Sequence, residues 1–287
     1  MVRSVMMMIV AVLCICCDAI DMKGLVVPTS DVVDKRFEKS MSLSGDKAVA
    51  TIEAEESYII YVCADPHIDG SYSNLREFST RLRNNPSASF GVVLGDCKDH
   101  RDALPAYVEA LEYVSDVQAN NRPIFSLLGN HDIYFNGWDE YSTLLGPSVY
   151  WFDVQFAAGR DLFIVLDSAS GTLGGKQLSW LRAFLASERE RYRHCVVLTH
   201  TNIFYADNSQ LGSGNLTLEE TAALTDLLSR HRVTLCLQGH DHYREDIVLD
   251  GVRYTIVGTI REDAERAEYL VISLSNSGPE YKWEYIK

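Results

Sequence analysis

Apolar residues in this chain gather in short unbroken runs, set between longer stretches of mixed polarity. Five runs, Tyr58–Ala64, Phe90–Leu94, Ile124–Leu128, Cys195–Thr199 and Thr234–Leu237, lack the alternation of a half-exposed strand. Strands read this way when both faces are buried, as in the parallel sheets of α/β proteins. Between them, Leu104, Tyr107, Val108, Leu111 and Val114 recur at helical spacing, as do Leu178, Leu181 and Leu185. Thr217 and Glu220 have the spacing of a capping box and predict a helix running to about Arg230. Val149–Phe156 and Leu162–Asp167 predict two strands around a turn containing Gly159-Arg160. From Ile247 onward, strand-like runs alternate with turns, and no repeat or low-complexity linker interrupts the chain. Residues 20–56 are mixed and polar, and read as a tether followed by an added edge strand.

The opening nineteen residues, MVRSVMMMIVAVLCICCDA, have the form of an export leader. Arg3 supplies the positive start, and the apolar run Val5–Cys17 covers 13 residues. That is short for a membrane span of roughly 20 residues but suits a signal-peptide core. Two processing routes are expected: cleavage after Ala19, or lipidation at Cys16 or Cys17 with anchoring to a membrane. Either makes the protein exported: periplasmic, extracellular or a membrane-anchored lipoprotein.

The length of 287 residues and 47% hydrophobic content fit one large α/β domain or two small ones. The net charge of −14 gives no general attraction to nucleic acid or anionic lipid. An anionic substrate therefore needs a local positive charge, and bound metal is the obvious source. Three of the seven cysteines lie in the leader, and Cys63, Cys195 and Cys236 sit in apolar strand-like runs, where cysteine behaves as a small hydrophobe. With no CxxC pair, neither a disulfide framework nor a zinc-thiolate site is expected.

Candidate chemistry clusters at the strand ends. The first strand leads into Asp65-Pro66-His67, the second into Gly95-Asp96-Cys97-Lys98-Asp99, and the third into Gly129-Asn130-His131-Asp132. The fourth ends at His200, and the fifth at Gly239-His240-Asp241-His242. Ligands of open α/β sheets bind at the carboxyl ends of the strands, so the motifs are expected to converge, and they hold five of the eight histidines. In Gly-His-x-His, alternate residues of an extended segment point the same way. Pro66 should restrict Asp65 to an extended backbone. Imidazole, carboxylate and amide oxygen without thiolate suit Mn, Fe, Zn or Co. Asp96 can bridge two ions through its two oxygens. Two ions roughly 3.5–4 Å apart would clamp the attacking and leaving oxygens of an in-line displacement and supply hydroxide near neutral pH.

Together these motifs resemble the signature of the calcineurin-like metallophosphoesterases: D-x-H, G-D-x-x-D, G-N-H-D/E, a lone His and G-H-x-H, matched over about residues 57–245. The resemblance implies an α/β fold, a two-sheet β-sandwich flanked by helices in four layers, as one catalytic domain over 57–287. It implies two divalent ions (Mn, Fe or Zn), with Asp65, His67 and His242 on one, Asn130, His200 and His240 on the other, and Asp96 on both. It also implies that His131 protonates the leaving alkoxide and that Asp99 orients His131. Purple acid phosphatases of this family have tyrosine in place of Asp99 and glycine in place of His67. Ser/Thr phosphatases read G-D-x-V-D-R-G and G-N-H-E, unlike Asp99-His100-Arg101 and His131-Asp132 here. The chain is thus most similar to the bacterial-type group that includes cyclic-nucleotide phosphodiesterases, whose QLxWL helix matches Gln177-Leu178-Ser179-Trp180-Leu181.

The expected activity is hydrolysis of a phosphomonoester or phosphodiester on a small molecule or nucleotide, with no nucleic-acid backbone or protein partner inferred. A non-catalytic scaffold that has kept the fold is the alternative. Tyr134, Phe135, Trp138 and Tyr141, with Phe204 and Tyr205, are candidate pocket walls or loop anchors. Asn215-Leu216-Thr217 fits a glycosylation sequon, although Thr217 is better explained as a helix cap.

Overall fold

The computed structural model describes residues 29–45, 47–99, 122–207, 210–212 and 215–286. The expected leader and the helical spacing at Leu104–Val114 lie outside the described residues. In chain order the strands are β1 (Thr51–Glu53), β2 (Tyr58–Cys63), β3 (Ala88–Val93), β4 (Ile124–Ser126), β5 (Tyr150–Phe156), β6 (Gly159–Val165) and β7 (Cys195–Leu198). They continue as β8 (Tyr205–Asp207), β9 (Gln210–Gly212), β10 (Leu235–Gln238), β11 (Glu245–Leu249), β12 (Val252–Ile256), β13 (Glu268–Ser275) and β14 (Gly278–Tyr285). The helices are α1 (Thr29–Ser44), α2 (Ser73–Asn84), α3 (Asn130–Ile133), α4 (Gly137–Leu144), α5 (Gly174–Glu188) and α6 (Leu218–Arg230).

Two sheets face each other. One has the order β1-β5-β6-β7-β10-β12-β11 and the other β14-β13-β2-β3-β4, with β8-β9 a separate ribbon. The parallel runs are β2-β3-β4 and β6-β7-β10-β12. The unbroken apolar runs arise from burial on both sides. Ile60, Val62, Phe90 and Val92 point between the sheets toward Phe163, Val165, Val196 and Leu235. Their neighbours Tyr61 and Cys63 face the other way, onto Leu75, Phe78 and Leu82 of α2. In the larger sheet Leu162 and Ile164 pack under Leu181 and Leu185 of α5 and Leu224 and Leu228 of α6. The result is the expected helix–sheet–sheet–helix layering.

Element boundaries depart from the sequence pattern in places. The third strand stops at Ser126, and Leu127 and Leu128 continue as buried coil. Gly159 and Arg160 are the first residues of β6, paired with Phe156 and Gln155, so the turn lies before them. Thr217 caps α6 by accepting from Glu220 N. The Glu220 carboxylate, however, accepts from Leu173 N at 2.7 Å and Thr172 Oγ1 at 3.1 Å, tying α6 to the start of α5. Gln177 of the QLSWL segment is buried; its side chain accepts from Asp167 N and donates to Asp167 O and Leu173 O. That holds α5 on the end of β6.

The polar stretch before residue 51 is more ordered than a tether. Val33, Phe37 and Ser40 of α1 are buried, and Arg36 forks onto Asp167 with Nε–Oδ2 of 2.8 Å and Nη2–Oδ1 of 3.0 Å. Strand β1 is the expected edge strand, parallel to β5. No described helix is long and apolar enough to cross a membrane.

Candidate metal centre

The five motif-bearing strand ends come from both sheets: β2, β3 and β4 from one, β7 and β10 from the other. Hydrogen bonds across the sandwich bring them to one rim. His240 N donates to both Asp65 oxygens at 2.9 and 3.2 Å, and His200 Nδ1 lies 2.8 Å from the Leu94 carbonyl. Within the smaller sheet, His67 N donates to Asp96 O at 3.0 Å. Glycine is required where these loops touch. A β-carbon on Gly129 would fall 2.1 Å from Asp96 Oδ1 and 2.2 Å from Asp96 N. Gly95 has φ of +96°, and its added β-carbon would meet His200 Nδ1 at 2.7 Å.

Five site residues adopt left-handed backbones: Asp65, His67, Asp96, His240 and His242, at φ of 52°, 43°, 53°, 74° and 58°. Such conformations cost of order 1–3 kcal/mol each and persist where surrounding structure enforces them. They correct two expectations. Asp65 is not extended ahead of Pro66, because Thr259 Oγ1 fixes its carbonyl at 2.7 Å and His240 N fixes its carboxylate. His240 and His242 do not share a direction, because both backbones are left-handed rather than extended, and their side chains enter different clusters.

The first cluster is Asp65, His67 and His242, and the second is Asp96, His200 and His240. His67 Nε2 lies 3.0 Å from His242 Nε2, while Asp65 Oδ1 is 4.0 Å from the one and 3.8 Å from the other. His200 Nε2 is 2.9 Å from Asn130 Oδ1 and 3.3 Å from Asp96 Oδ2. The same Asp96 oxygen is 3.5 Å from His67 Nε2, so this carboxylate faces both clusters. A carbonyl can only accept, so the bond to Leu94 O places a proton on His200 Nδ1. In the neutral imidazole Nε2 then presents a lone pair to two other acceptors, an arrangement that a proton or a cation between them would satisfy.

The electrostatics carry the same message. Burial, with Asp96 alongside, pushes the Asp65 carboxyl up to about 8. Burial also opposes ionisation of Asp96, but His200, His67 and His131 outweigh it and hold that carboxyl below the usual range. Burial disfavours a charged His200, yet Asp96 and Asp65 outweigh it and raise the imidazole to about 9. Burial brings His67 down to about 4. His67, His240 and His242 lean neutral while His200 alone leans charged beside two buried carboxylates, a donor set that fits divalent cations.

His131 and Asp99 lie beside these clusters. The expected orientation of His131 by the Asp99 carboxylate is modified: His131 Nδ1 is 3.0 Å from the Asp99 backbone carbonyl and 3.5 Å from Oδ1. The carboxylate is nearer to His67, with Oδ1 at 3.2 Å from Nδ1. His131 N also donates to Asp96 Oδ1 at 2.8 Å, which fixes the main chain of the GNHD turn.

Several contributors were not legible in the sequence. Asp132 is buried and accepts from Gly129 N at 2.8 Å, Cys97 N at 2.9 Å and Lys98 N at 3.3 Å, knotting two motif loops together. Burial and the nearby Asp96 push its carboxyl up to about 7. Lys98 is buried against Glu140 at 3.1 Å. Among the aromatic candidates, Tyr134 is exposed beside the site, its ring 4.8 Å from His131 and its hydroxyl accepting from Asn130 Nδ2 at 3.0 Å. Tyr141 and Phe204 are core anchors instead of pocket walls: one donates to Ser126 O, and the other packs 5.3 Å from the Tyr254 ring. Trp138 stacks on Tyr141, and the side chains of Phe135 and Tyr205 lie outside the described residues. Asn215 is exposed and donates to Asn202 Oδ1 at 3.1 Å.

The sequence profile of the calcineurin-like phosphoesterases matches residues 58–244. The chain belongs to the calcineurin-like phosphoesterases. No curated protein sequence matches it significantly. Among solved structures, this chain is similar to GAP50, the anchor in the inner membrane complex of Plasmodium, with TM-score 0.61 and 16% identity over 80% of this chain and 85% of that one. It is also similar to a purple acid phosphatase from yellow lupin seeds, with TM-score 0.59 and 13% identity over 80% of this chain and 52% of the other. A putative 5'-nucleotidase from Staphylococcus aureus gives TM-score 0.53 and 14% identity, with 80% and 53% covered. The chain thus spans about half the length of the lupin and staphylococcal proteins, and at these identities the likeness concerns the fold.

Proposed function

We propose that this phosphoesterase hydrolyses phosphate esters at two divalent cations. Asp65, His67 and His242 would hold one, Asn130, His200 and His240 the other, and Asp96 both. The observation carrying this reading is the position of Asp96 between the clusters, its Oδ2 3.3 Å from His200 Nε2 and 3.5 Å from His67 Nε2. When bound, such a pair supplies Lewis acidity and an activated water for in-line displacement. Asp96 contributes by facing both clusters, and the left-handed turns at His240 and His242 aim one imidazole into each. His131 is half-buried, with Nδ1 engaged by the Asp99 carbonyl. That leaves Nε2 to carry a proton to the leaving oxygen, a general-acid role.

The competing reading is a non-catalytic scaffold, raised by the Plasmodium relative described as an anchor. The filled donor set favours hydrolysis, since a scaffold has no need of seven converging ligand side chains. The deciding experiment screens an aryl phosphate ester with Mn, Fe and Zn, using wild type, Asp96→Ala and His240→Ala. Metal-dependent turnover lost in both variants supports the hydrolase. Bound metal without turnover of any ester supports the scaffold, and wild-type turnover in both variants overturns the site. Export is part of the same proposal and is checked by fractionation with intact-mass measurement; an unmodified Met1 on soluble protein contradicts it.

A further inference from the structure

A cation stands beside the first cluster that no part of the proposed chemistry uses. Arg261 lies beyond β12 on a segment fastened to the metal loop. Ile260 N donates to Ala64 O at 3.1 Å, and Thr259 Oγ1 donates to Asp65 O at 2.7 Å while accepting from Arg261 N at 3.0 Å. Asn74 Nδ2 holds the far side by donating to Ile260 O at 3.0 Å and Arg261 O at 2.8 Å. The Arg261 main chain is therefore fixed one hydroxyl away from Asp65.

The guanidinium has a partner suited to exchange. Nε is 2.9 Å from Asp263 Oδ1 and Nη2 is 3.2 Å from Oδ2, a two-point fork. The same fork matches a pair of phosphate oxygens. Asp263 is 73% exposed, and a pair open to water contributes little to hold the two together. Lys98, the lysine near the site, is by contrast buried against Glu140.

We propose that Arg261 is a substrate-binding residue that exchanges Asp263 for the terminal oxygens of a phosphate monoester, so that the site favours doubly charged monoesters over diesters. This rests on the hydrolase reading above and names its substrate class. A monoester brings one more terminal oxygen and one more negative charge than a diester. In a chain of net charge −14, that second charge needs a local cation beyond the metals. Asp263 acts as an internal stand-in for the substrate, keeping the fork formed until phosphate arrives.

The test titrates inorganic phosphate calorimetrically into metal-loaded wild type, Arg261→Ala, Arg261→Lys and Asp263→Asn, and measures KM for an aryl phosphate monoester and the matching diester. Arg261→Ala should weaken phosphate binding roughly ten- to hundredfold, the size of a lost charged hydrogen-bond pair. It should raise KM for the monoester and leave that for the diester near wild type. Arg261→Lys should restore part of the affinity, and Asp263→Asn should tighten phosphate by removing its rival. Unchanged phosphate affinity in Arg261→Ala, equal damage to both esters, or no phosphate binding by wild type overturns the assignment. Phosphate binding that depends on Arg261 in a protein that hydrolyses neither ester would sink the hydrolase reading and the ester preference while keeping the anion fork.

Discussion

Asp99 Oδ1 lies 3.2 Å from His67 Nδ1, closer than it comes to His131. The carboxylate therefore fixes the His67 tautomer, protonated at Nδ1, so that Nε2 is free to face the first cluster. Partners of this kind raise ligand basicity, and their loss typically costs 10–100-fold in metal affinity. Asp99→Ala is expected to weaken metal binding by about that factor, with a smaller change in the His131 step. Metal titration by calorimetry checks it. Unaltered metal affinity with a changed leaving-group dependence would show that Asp99 serves His131 instead.

His131→Ala isolates the proton donor. It removes no ligand from either cluster, so metal content should remain, while turnover falls roughly 10²–10⁴-fold. The loss should shrink for esters of acidic phenols, whose oxyanions leave without help. A uniform loss across leaving groups would argue against proton donation.

Gly129→Ala tests the close contact that shapes the centre. The new methyl would overlap Asp96 at both Oδ1 and the backbone N, and the backbone atom has no side-chain freedom with which to yield. Overpacking typically costs 1–3 kcal/mol, and here the displaced atom is the carboxylate that faces both clusters. Thermal melting should show the destabilisation, and metal analysis should show reduced occupancy. A variant with wild-type metal content would mean that the loops are looser than their contacts imply.

These contacts also show what the sequence could and could not reveal. The strands of the two inner layers were legible because burial on both faces leaves unbroken runs such as Tyr58–Cys63. The site was legible because each chemical motif directly follows such a run. The backbone at the site was not: a proline after Asp65 argues for an extended chain, and only the distant Thr259 and His240 explain why it turns left-handed. Asp132, Lys98 and Arg261 escaped for the same reason, since their partners lie in other loops. In α1 the signal was present, with Val33, Phe37 and Ser40 at helical spacing, but polar residues between them masked it.

The buried thiols predict an alkaline limit. Burial pushes Cys195 up to about 12 and raises Cys236 further. An unfolded thiol ionises near 8.5. Because the folded values are raised, this stability is fully present below pH ~8.5 and is lost as pH rises toward the folded values, about 1.4 kcal/mol per thiol for each pH unit. Melting temperature should hold to about pH 8.5 and then fall, less steeply in Cys195→Ala. An equal slope in that variant would locate the loss elsewhere.

The proposal places seven side chains from two sheets around a pair of ions. Anomalous diffraction from crystals grown with manganese tests this directly. Two peaks roughly 3.5–4 Å apart, with the Asp96 carboxylate between them, are the predicted result. No peak at this rim, or a single ion ligated by only one cluster, would contradict it.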